Sequence, residues 1–179
     1  MSVKFINPVA DCLIPIKPYT LCLDLSRPVV IGLVVNKIVG CDLLMHEIGE
    51  TLMSLNPDIR IKTFETGTIT YAASELIDEI ATHCNAAICA IGHCGSCTAG
   101  TVKDGIALIE RGIPAVSLIT SIFWEQATAL SRSLGWPGAP RIQLPYPIWG
   151  TGTAYMNSVA NQIIYEIIQA LEANREASA

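Results

Sequence analysis

The chain reads as a three-layer α/β domain, flavodoxin-like or Rossmann-like, around a mainly parallel five-stranded sheet. Three observations predict this. Apolar runs of strand length alternate with segments whose apolar residues recur every three or four positions, the signature of successive βαβ units. Some runs, Ala86-Ala87-Ile88-Cys89-Ala90-Ile91 above all, are apolar throughout, which suits strands covered on both faces. At 179 residues and 51% apolar content there is enough chain for one well-buried core. Helices that alternate with strands lie on both faces of a parallel sheet.

Residues 1–27 carry Pro8, Pro15 and Pro18 and no clean period, so they read as an extended arm packed on the domain or on a neighbouring subunit. Residues 28–179 are then the single α/β domain. Pro28 opens a β-branched run, Val29 to Val35, which stops at the polar pair Asn36-Lys37. A helix follows from about Cys41 to Leu55, with Leu44, Ile48, Leu52 and Leu55 on one stripe, and Asn56-Pro57-Asp58 ends it. Ile59 to Phe64 alternates like an edge strand. Gly67 marks a loop bearing Thr66, Thr68 and Thr70, and Ala73 to His83 reads as a helix with Leu76, Ile77 and Ile80 inward.

The apolar strand from Ala86 leads through Cys94 into a helix carrying Val102, Ile106 and Ile109, with Gly112 as its C-cap. Pro114 to Ile119 is the fourth strand, ending at Thr120-Ser121. Phe123, Ala127, Leu130 and Leu134 form the next helical stripe, stopped by Gly135 and Pro137. Arg141 to Leu144 is a short fifth strand. The loop Pro145 to Gly152 is rigid, then glycine-rich, and a last helix runs from about Thr153 to Ala173 through Val159, Ile163, Ile167 and Leu171. The tail beyond it is expected to fray. In such a fold Asn36, the Thr66–Thr70 loop, Cys94, Thr120 and the Gly150–Gly152 loop share one rim.

The bulk numbers exclude several function classes. A net charge of −5 without a basic cluster argues against nucleic acid. No apolar stretch reaches the roughly 18–20 residues of a membrane span, and the N-terminus lacks a secretory pattern. Only 15% of residues are charged, so more than one face is expected to be buried, in a homo-oligomer or against a partner subunit. Seven cysteines, an odd number, in a chain without a secretory signal point to the reducing cytoplasm.

The chemistry concentrates in Ile91-Gly92-His93-Cys94-Gly95-Ser96-Cys97-Thr98-Ala99-Gly100-Thr101, on a strand-to-helix turn. In an open α/β sheet that is the carboxyl end of a strand, where ligands bind. A helix N-terminus offers unpaired N–H groups and a partial positive charge, which favour a thiolate. Gly95 would permit a close backbone approach, and Ser96 and Thr98 are potential caps. Of the seven cysteines only Cys94 and Cys97 have the spacing of a redox or nucleophilic pair.

Other readings of that pair are weaker. A single Cys-x-x-Cys lacks the second pair that a closed zinc site needs. Cys89, Cys94 and Cys97 match a plant-type iron–sulfur spacing, but Cys89 lies inside an apolar strand. Two buried structural thiols are the bland alternative. Within the reactive reading Cys94 leaves the strand end and attacks, while Cys97 enters the helix and resolves the adduct or acts as an acid. His93 beside it is a candidate proton shuttle.

The candidate substrate-binding residues are Asn36, Lys37, Gly95, Ser96, Thr98, Lys103, Thr120, Gly150 and Thr151. Gly150-Thr151-Gly152-Thr153 opens a helix and suits an anion on backbone N–H groups. It is not a full dinucleotide fingerprint or a P-loop. The sequence carries no cofactor signature and no metal-ligand set. Trp149 is the tryptophan placed to wall a pocket.

Gly92-His93-Cys94-Gly95-Ser96-Cys97-Thr98, then Asp104, then Glu110-Arg111-Gly112-Ile113-Pro114 resemble the UGSC-motif proteins, named for a selenocysteine-Gly-Ser-Cys sequence. A more distant similarity is to the selenoprotein B component of glycine, sarcosine and betaine reductases. The resemblance covers about residues 28–165, with Cys94 where some members carry selenocysteine. It implies a reactive thiol or selenol that attacks substrate and a second cysteine that resolves it. The family pattern has histidines where this chain has Lys103 and Tyr146, which removes an acid or base and leaves Lys103 to stabilise a thiolate.

Three functions compete. The first is a thiol enzyme that acts on a small, anionic, electrophilic substrate, with reductive bond cleavage as one form of its chemistry. The second keeps the Cys94 nucleophile without a redox step, as a lyase, hydratase or isomerase. The third is a thiol-carrying or structural subunit of a larger complex.

Overall fold

The computed structural model describes residues 14–173, so Cys12, the first half of the expected arm and the C-terminal tail lie outside the described residues. In chain order the elements are β1 (Val29–Val35), α1 (Cys41–Leu55), β2 (Ile59–Glu65), α2 (Ser74–His83), β3 (Ala86–Gly92), α3 (Gly95–Glu110), β4 (Ala115–Thr120), a short 3₁₀ turn (Ser121–Phe123), α4 (Trp124–Ser133), β5 (Arg141–Leu144) and α5 (Thr153–Glu172).

The five strands form one sheet in the order β2-β1-β3-β4-β5. Every neighbouring pair is parallel, with Val29 against Ile59, Ile31 against Ala86, Ala87 against Ala115 and Ser117 against Arg141. This is the flavodoxin-like order. The expected α/β class and five-stranded parallel sheet are what the chain adopts.

The two sheet faces carry separate cores. On one, Ile31, Leu33 and Ile88 pack under α1 (Leu44, Ile48, Leu52) and α5 (Val159, Ile163, Ile167). On the other, Val34, Ala87, Cys89 and Ile119 pack under α2 (Ile77, Ile80), α3 (Val102, Ile106, Ile109) and α4 (Ala127). β3 is buried along its whole length, as an apolar central strand must be, whereas edge strand β2 does not keep the predicted alternation: it buries Ile59 on one face and Phe64 on the other and leaves Arg60, Thr63 and Glu65 exposed. Leu55 departs from its predicted stripe: it is the last residue of α1 and stands exposed.

The strand-order reversal fixes where a site can form. From β1 the chain crosses to β2, then returns past β1 to β3 and continues outward. The crevice between the carboxyl ends of β1 and β3 is the topological switch point of the sheet. Asn36-Lys37 follows β1 there, and His93-Cys94 follows β3.

Residues 14–27 carry no helix or strand. Tyr19 is fully buried, Lys17 N–H donates to Gly135 O at 2.7 Å, and Leu23 N–H donates to Leu171 O at 2.8 Å. Among the described residues no helix is long and apolar enough to cross a membrane.

Candidate functional site

Cys94 leaves β3 in an extended conformation (φ −140°, ψ 172°) and is the N-cap of α3. Its sulfur accepts the Cys97 N–H at 3.2 Å. Reciprocally, the Cys97 sulfur accepts the Cys94 N–H at 2.8 Å and the His93 N–H at 3.3 Å. The arrangement is a capping box built from two sulfurs instead of a hydroxyl and a carboxylate. The two sulfurs are in contact as a disulfide, with Cα atoms 5.4 Å apart, inside the ordinary range for such a bridge.

The two cysteines differ in access. Cys94 is half-buried at the rim, while Cys97 is wholly buried. Solvent and solutes therefore meet the pair through Cys94.

This geometry corrects one sequence expectation. Ser96 and Thr98 do not cap α3, because the Cys94 sulfur holds that position; the Ser96 hydroxyl instead lies 3.5 Å from that sulfur. The N–H groups open to a ligand are those of Gly95 and Ser96, since Cys97 N–H serves the Cys94 sulfur and Thr98 N–H serves Cys94 O at 2.9 Å. Gly95 meets nothing closely: the nearest atom to an added Cβ is Gln126 Oε1 at 3.8 Å. The close approaches lie elsewhere. At Gly92 a Cβ would meet Ile119 at 2.6 Å, and at Gly100 it would fall on the Thr70 carbonyl oxygen. Gly100 thus lets the Thr66–Thr70 loop press its backbone against α3.

Hydrogen bonds fix the crevice walls. Asn36 is buried; its amide donates to Ile91 O at 3.0 Å, and its own N–H donates to Ala90 O at 3.1 Å, tying β1 to β3. The Thr120 hydroxyl donates to Gly92 O at 2.8 Å and ties β4 to β3. Thr120 is fully buried, so its hydroxyl holds the fold and does not reach a ligand. Lys37 is exposed at the rim, 3.0 Å from the Glu65 carboxylate, and a cavity of about 280 Å³ opens beside Asn36, Lys37 and Asp42.

His93 turns into the loop after β5. Its Nε2 accepts the Ile148 N–H at 3.4 Å, so the ring proton sits on Nδ1. Partial burial lowers its pKa, which keeps the imidazole neutral near pH 7. The ring stacks on Tyr146 at 4.9 Å and meets the edge of Trp149 at 6.3 Å. Both aromatics are about half exposed.

The same loop delivers the start of α5. Gly150 and Gly152 take φ near +80°, and the Thr151 hydroxyl donates to Ile148 O at 2.8 Å. The first turn of α5 reaches the start of α1, where a Cβ on Gly40 would lie 3.1 Å from Met156 Cε. The N-termini of α1, α3 and α5 therefore all open on the carboxyl edge of the sheet.

Lys103 is not part of this group. It stands about 13 Å along α3 from Cys94 at 1.5 Å per residue, with its ammonium over the Tyr71 ring at 5.4 Å. It is therefore not placed to stabilise a Cys94 thiolate. Three further thiols are made unreactive by burial, which pushes Cys41 up to about 12, Cys84 up to about 11 and Cys89 well above the usual range. Among the described residues no cluster of three or more His, Cys, Asp or Glu is placed to hold a metal ion.

Two contacts at the site escape a reading of the sequence, whereas a buried acid farther along α3 does not. Tyr146 becomes the stacking partner of His93 only through tertiary folding. Gln126 donates from α4 to Gly95 O at 2.8 Å, a contact with no local signal. Asp104 is a buried carboxyl on α3, and it does carry a signal: an acid within the otherwise apolar face of Val102, Ile106 and Ile109.

The chain was compared with known proteins. The crystal structure of the flavodoxin-like domain of a Synechococcus sp. protein is 12% identical, with a TM-score of 0.43, over 78% of this chain and 96% of that one. No curated protein matches the chain. The UGSC family profile matches residues 20–173, which takes in every strand and the whole Cys94–Cys97 turn. On that match the chain belongs to the UGSC family.

Proposed function

We propose that this protein is a thiol-dependent enzyme that uses Cys94 as nucleophile and redox centre and Cys97 as resolving thiol on a small anionic substrate. The observation that carries the reading is the sulfur pair itself: one cysteine at the rim, its partner wholly buried, and the two sulfurs in contact at a helix N-terminus. A structural pair of thiols needs no difference in access. An attacking and a resolving thiol do.

The chemistry follows from the placement. Cys97 N–H and the α3 dipole favour the anionic form of the Cys94 sulfur. Gly95 and Ser96 N–H groups, with the starts of α1 and α5, suit a carboxylate or phosphate on the substrate. The Cys94 thiolate attacks an electrophilic atom of R–X and expels X⁻. Cys97 then attacks the Cys94 sulfur, the Cys94–R bond breaks, and R leaves as a carbanion that takes a proton. An adjacent carbonyl makes R an enolate and lowers that barrier. The sum is R–X plus two thiols giving R–H, H–X and a disulfide, which an external dithiol reduces in the cytoplasm. His93, neutral and with its proton on Nδ1, donates to the leaving group.

Cys97→Ser separates this cycle from a lyase or isomerase built on the same nucleophile. In the redox cycle the variant accumulates a covalent Cys94 adduct and stops after one turnover, and wild type needs a dithiol for repeated turnover. Multiple turnovers by Cys97→Ser without dithiol would establish the non-redox chemistry instead. Cys94→Ser abolishes turnover in both.

A further inference from the structure

We propose that Thr120 is a positioning residue for the resolving thiol: its hydroxyl holds the Gly92–His93 peptide so that the His93 N–H, together with the Cys94 N–H, receives the Cys97 sulfur as a thiolate whenever the disulfide opens at Cys94. The inference rests on the redox reading above and supplies what that reading leaves open, the means by which a wholly buried thiol carries charge.

Every link is a direct contact. The Thr120 hydroxyl donates to Gly92 O at 2.8 Å. A peptide unit is planar and trans, so its N–H points away from its C=O. With Gly92 O turned to Thr120, the N–H of the same unit, that of His93, is turned to the Cys97 sulfur, 3.3 Å away. The next N–H, that of Cys94, reaches the same sulfur at 2.8 Å. Two successive backbone N–H groups converging on one atom form a concavity that suits an anion. The strand end that carries them has no slack. A Cβ on Gly92 would lie 2.6 Å from Ile119 and 3.1 Å from Thr98 Cα, and the preceding carbonyl, Ile91 O, is held by the Asn36 amide. Thr120 is fully buried, so its hydroxyl serves this strand end and not solvent.

A second buried thiol shows what the N–H groups change. Cys89 and Cys97 are equally shut off from solvent, at 1% and 0% exposure. Burial, and then the Asp104 carboxyl, push Cys89 well above the usual range. Cys97 differs in having two N–H groups aimed at its sulfur, at the start of α3. Cys94 O, 3.3 Å from the same sulfur, is the acceptor an S–H would use, so the pocket also accommodates the thiol. The side chains bonded to this turn from neighbouring elements, Asn36 after β1, Thr120 on β4 and Gln126 on α4, are uncharged, and His93 is kept neutral. The N–H groups therefore act on Cys97 without a charged rival from those elements.

The step balances without moving a proton. A thiolate of the external dithiol attacks the Cys94 sulfur and forms a new S–S bond. The Cys94–Cys97 bond breaks, and its electron pair stays on Cys97, where the two N–H groups meet it. Closure on an adduct runs the other way: the Cys97 electron pair forms the bond to Cys94, and the Cys94–R electrons leave on R. The one proton that the resting pair holds between its sulfurs has by then left on H–X. A better stabilised thiolate leaves faster, which makes Cys94 the sulfur that carries the mixed disulfide.

The test reads Cys97 alone. Reduced Cys94→Ala protein and a double variant that adds Cys97→Ala are titrated by the ultraviolet absorbance of thiolates, and the difference between them reports Cys97. Its midpoint is expected below the ordinary thiol value of about 8.5, despite complete burial. Adding Thr120→Val to both should raise that midpoint by about one unit or more, and Thr120→Ser should restore it. A midpoint at or above about 8.5 with Thr120 in place overturns the inference. So does an unmoved midpoint in a folded Thr120→Val protein. Cys94→Ser, which keeps an oxygen at the helix cap, replaces Cys94→Ala if the latter does not fold, and Thr120→Ala likewise replaces Thr120→Val. The redox reading fails separately, through repeated turnover by Cys97→Ser without dithiol, and the Cys97 titration would not move with it.

Discussion

At the scale of single residues, the site depends on side chains that are absent as much as on those present. Gly100 has no Cβ because the Thr70 carbonyl occupies that space, so Gly100→Ala must push the Thr66–Thr70 loop off α3. The variant is expected to lose about 1–3 kcal/mol of stability, the usual cost of overpacking, read as a lowered midpoint in urea unfolding. Asp104 gives a prediction of opposite sign. Its folded pKa, about 6, lies above the usual 3.8, so the native state binds a proton more tightly than the unfolded chain. Stability is therefore greatest below pH 4 on this group's account and falls as pH rises through 6. That difference in proton affinity between folded and unfolded chain corresponds to roughly 2–3 kcal/mol. Asp104→Asn should melt higher than wild type at pH 8 and lack the decline between pH 4 and 6; equal melting at pH 8 would show that the carboxylate is compensated in the fold.

At the scale of elements, β3 is the strand everything else positions. Its last carbonyls are held from both sides, Ile91 O by Asn36 and Gly92 O by Thr120. The Cys94 turn is therefore stiff at its base. Thr120→Val should cost about 1–2 kcal/mol for an unmatched buried carbonyl and slow alkylation of Cys94 by loosening the start of α3; an unchanged alkylation rate in a folded variant would separate the clamp from the chemistry. The loop after β5 acts from the other side by stacking Tyr146 on His93. The elements themselves are legible in the sequence. Strand β1 and helix α1 have the predicted bounds, because β-branched and 3.6-period patterns are local properties of the chain. The details of the turn are not. Sulfur is a poor guess for a helix cap, and only the folded backbone shows that Cys94 takes the place expected of Ser96 or Thr98. Lys103 is misplaced for a related reason: its distance from Cys94 is set by the rise of α3, which the spacing in sequence understates.

At the scale of the whole molecule, the switch point explains why the candidate residues meet at all. A parallel sheet sends every strand's carboxyl end to one edge, and the order β2-β1-β3-β4-β5 parts the connections between β1 and β3. The Cys94–Cys97 pair is readable from sequence as a candidate site because its strand-to-helix turn is a local pattern, whereas the arrival of His93 against the 146–149 loop needs the complete fold. The N-terminal segment is part of that whole. Tyr19 is fully buried against the face that carries α3 and Trp136. Tyr19→Ala should remove about 3–5 kcal/mol, the range for emptying a large aromatic site, and lower the midpoint of the single cooperative transition. Loss of a separate, smaller transition would instead mark residues 14–27 as an independent strap.

The central claim is that the Cys94 sulfur, reached through the rim and favoured as an anion by the start of α3, is the reactive atom of this protein. Intact-mass and peptide analysis after brief exposure of the reduced protein to iodoacetamide at pH 6 tests it most directly. One adduct, on Cys94, ahead of the exposed Cys22 and with Cys97 unlabelled, is the predicted result. Slow labelling spread evenly over the cysteines, or labelling of Cys22 before Cys94, would contradict it.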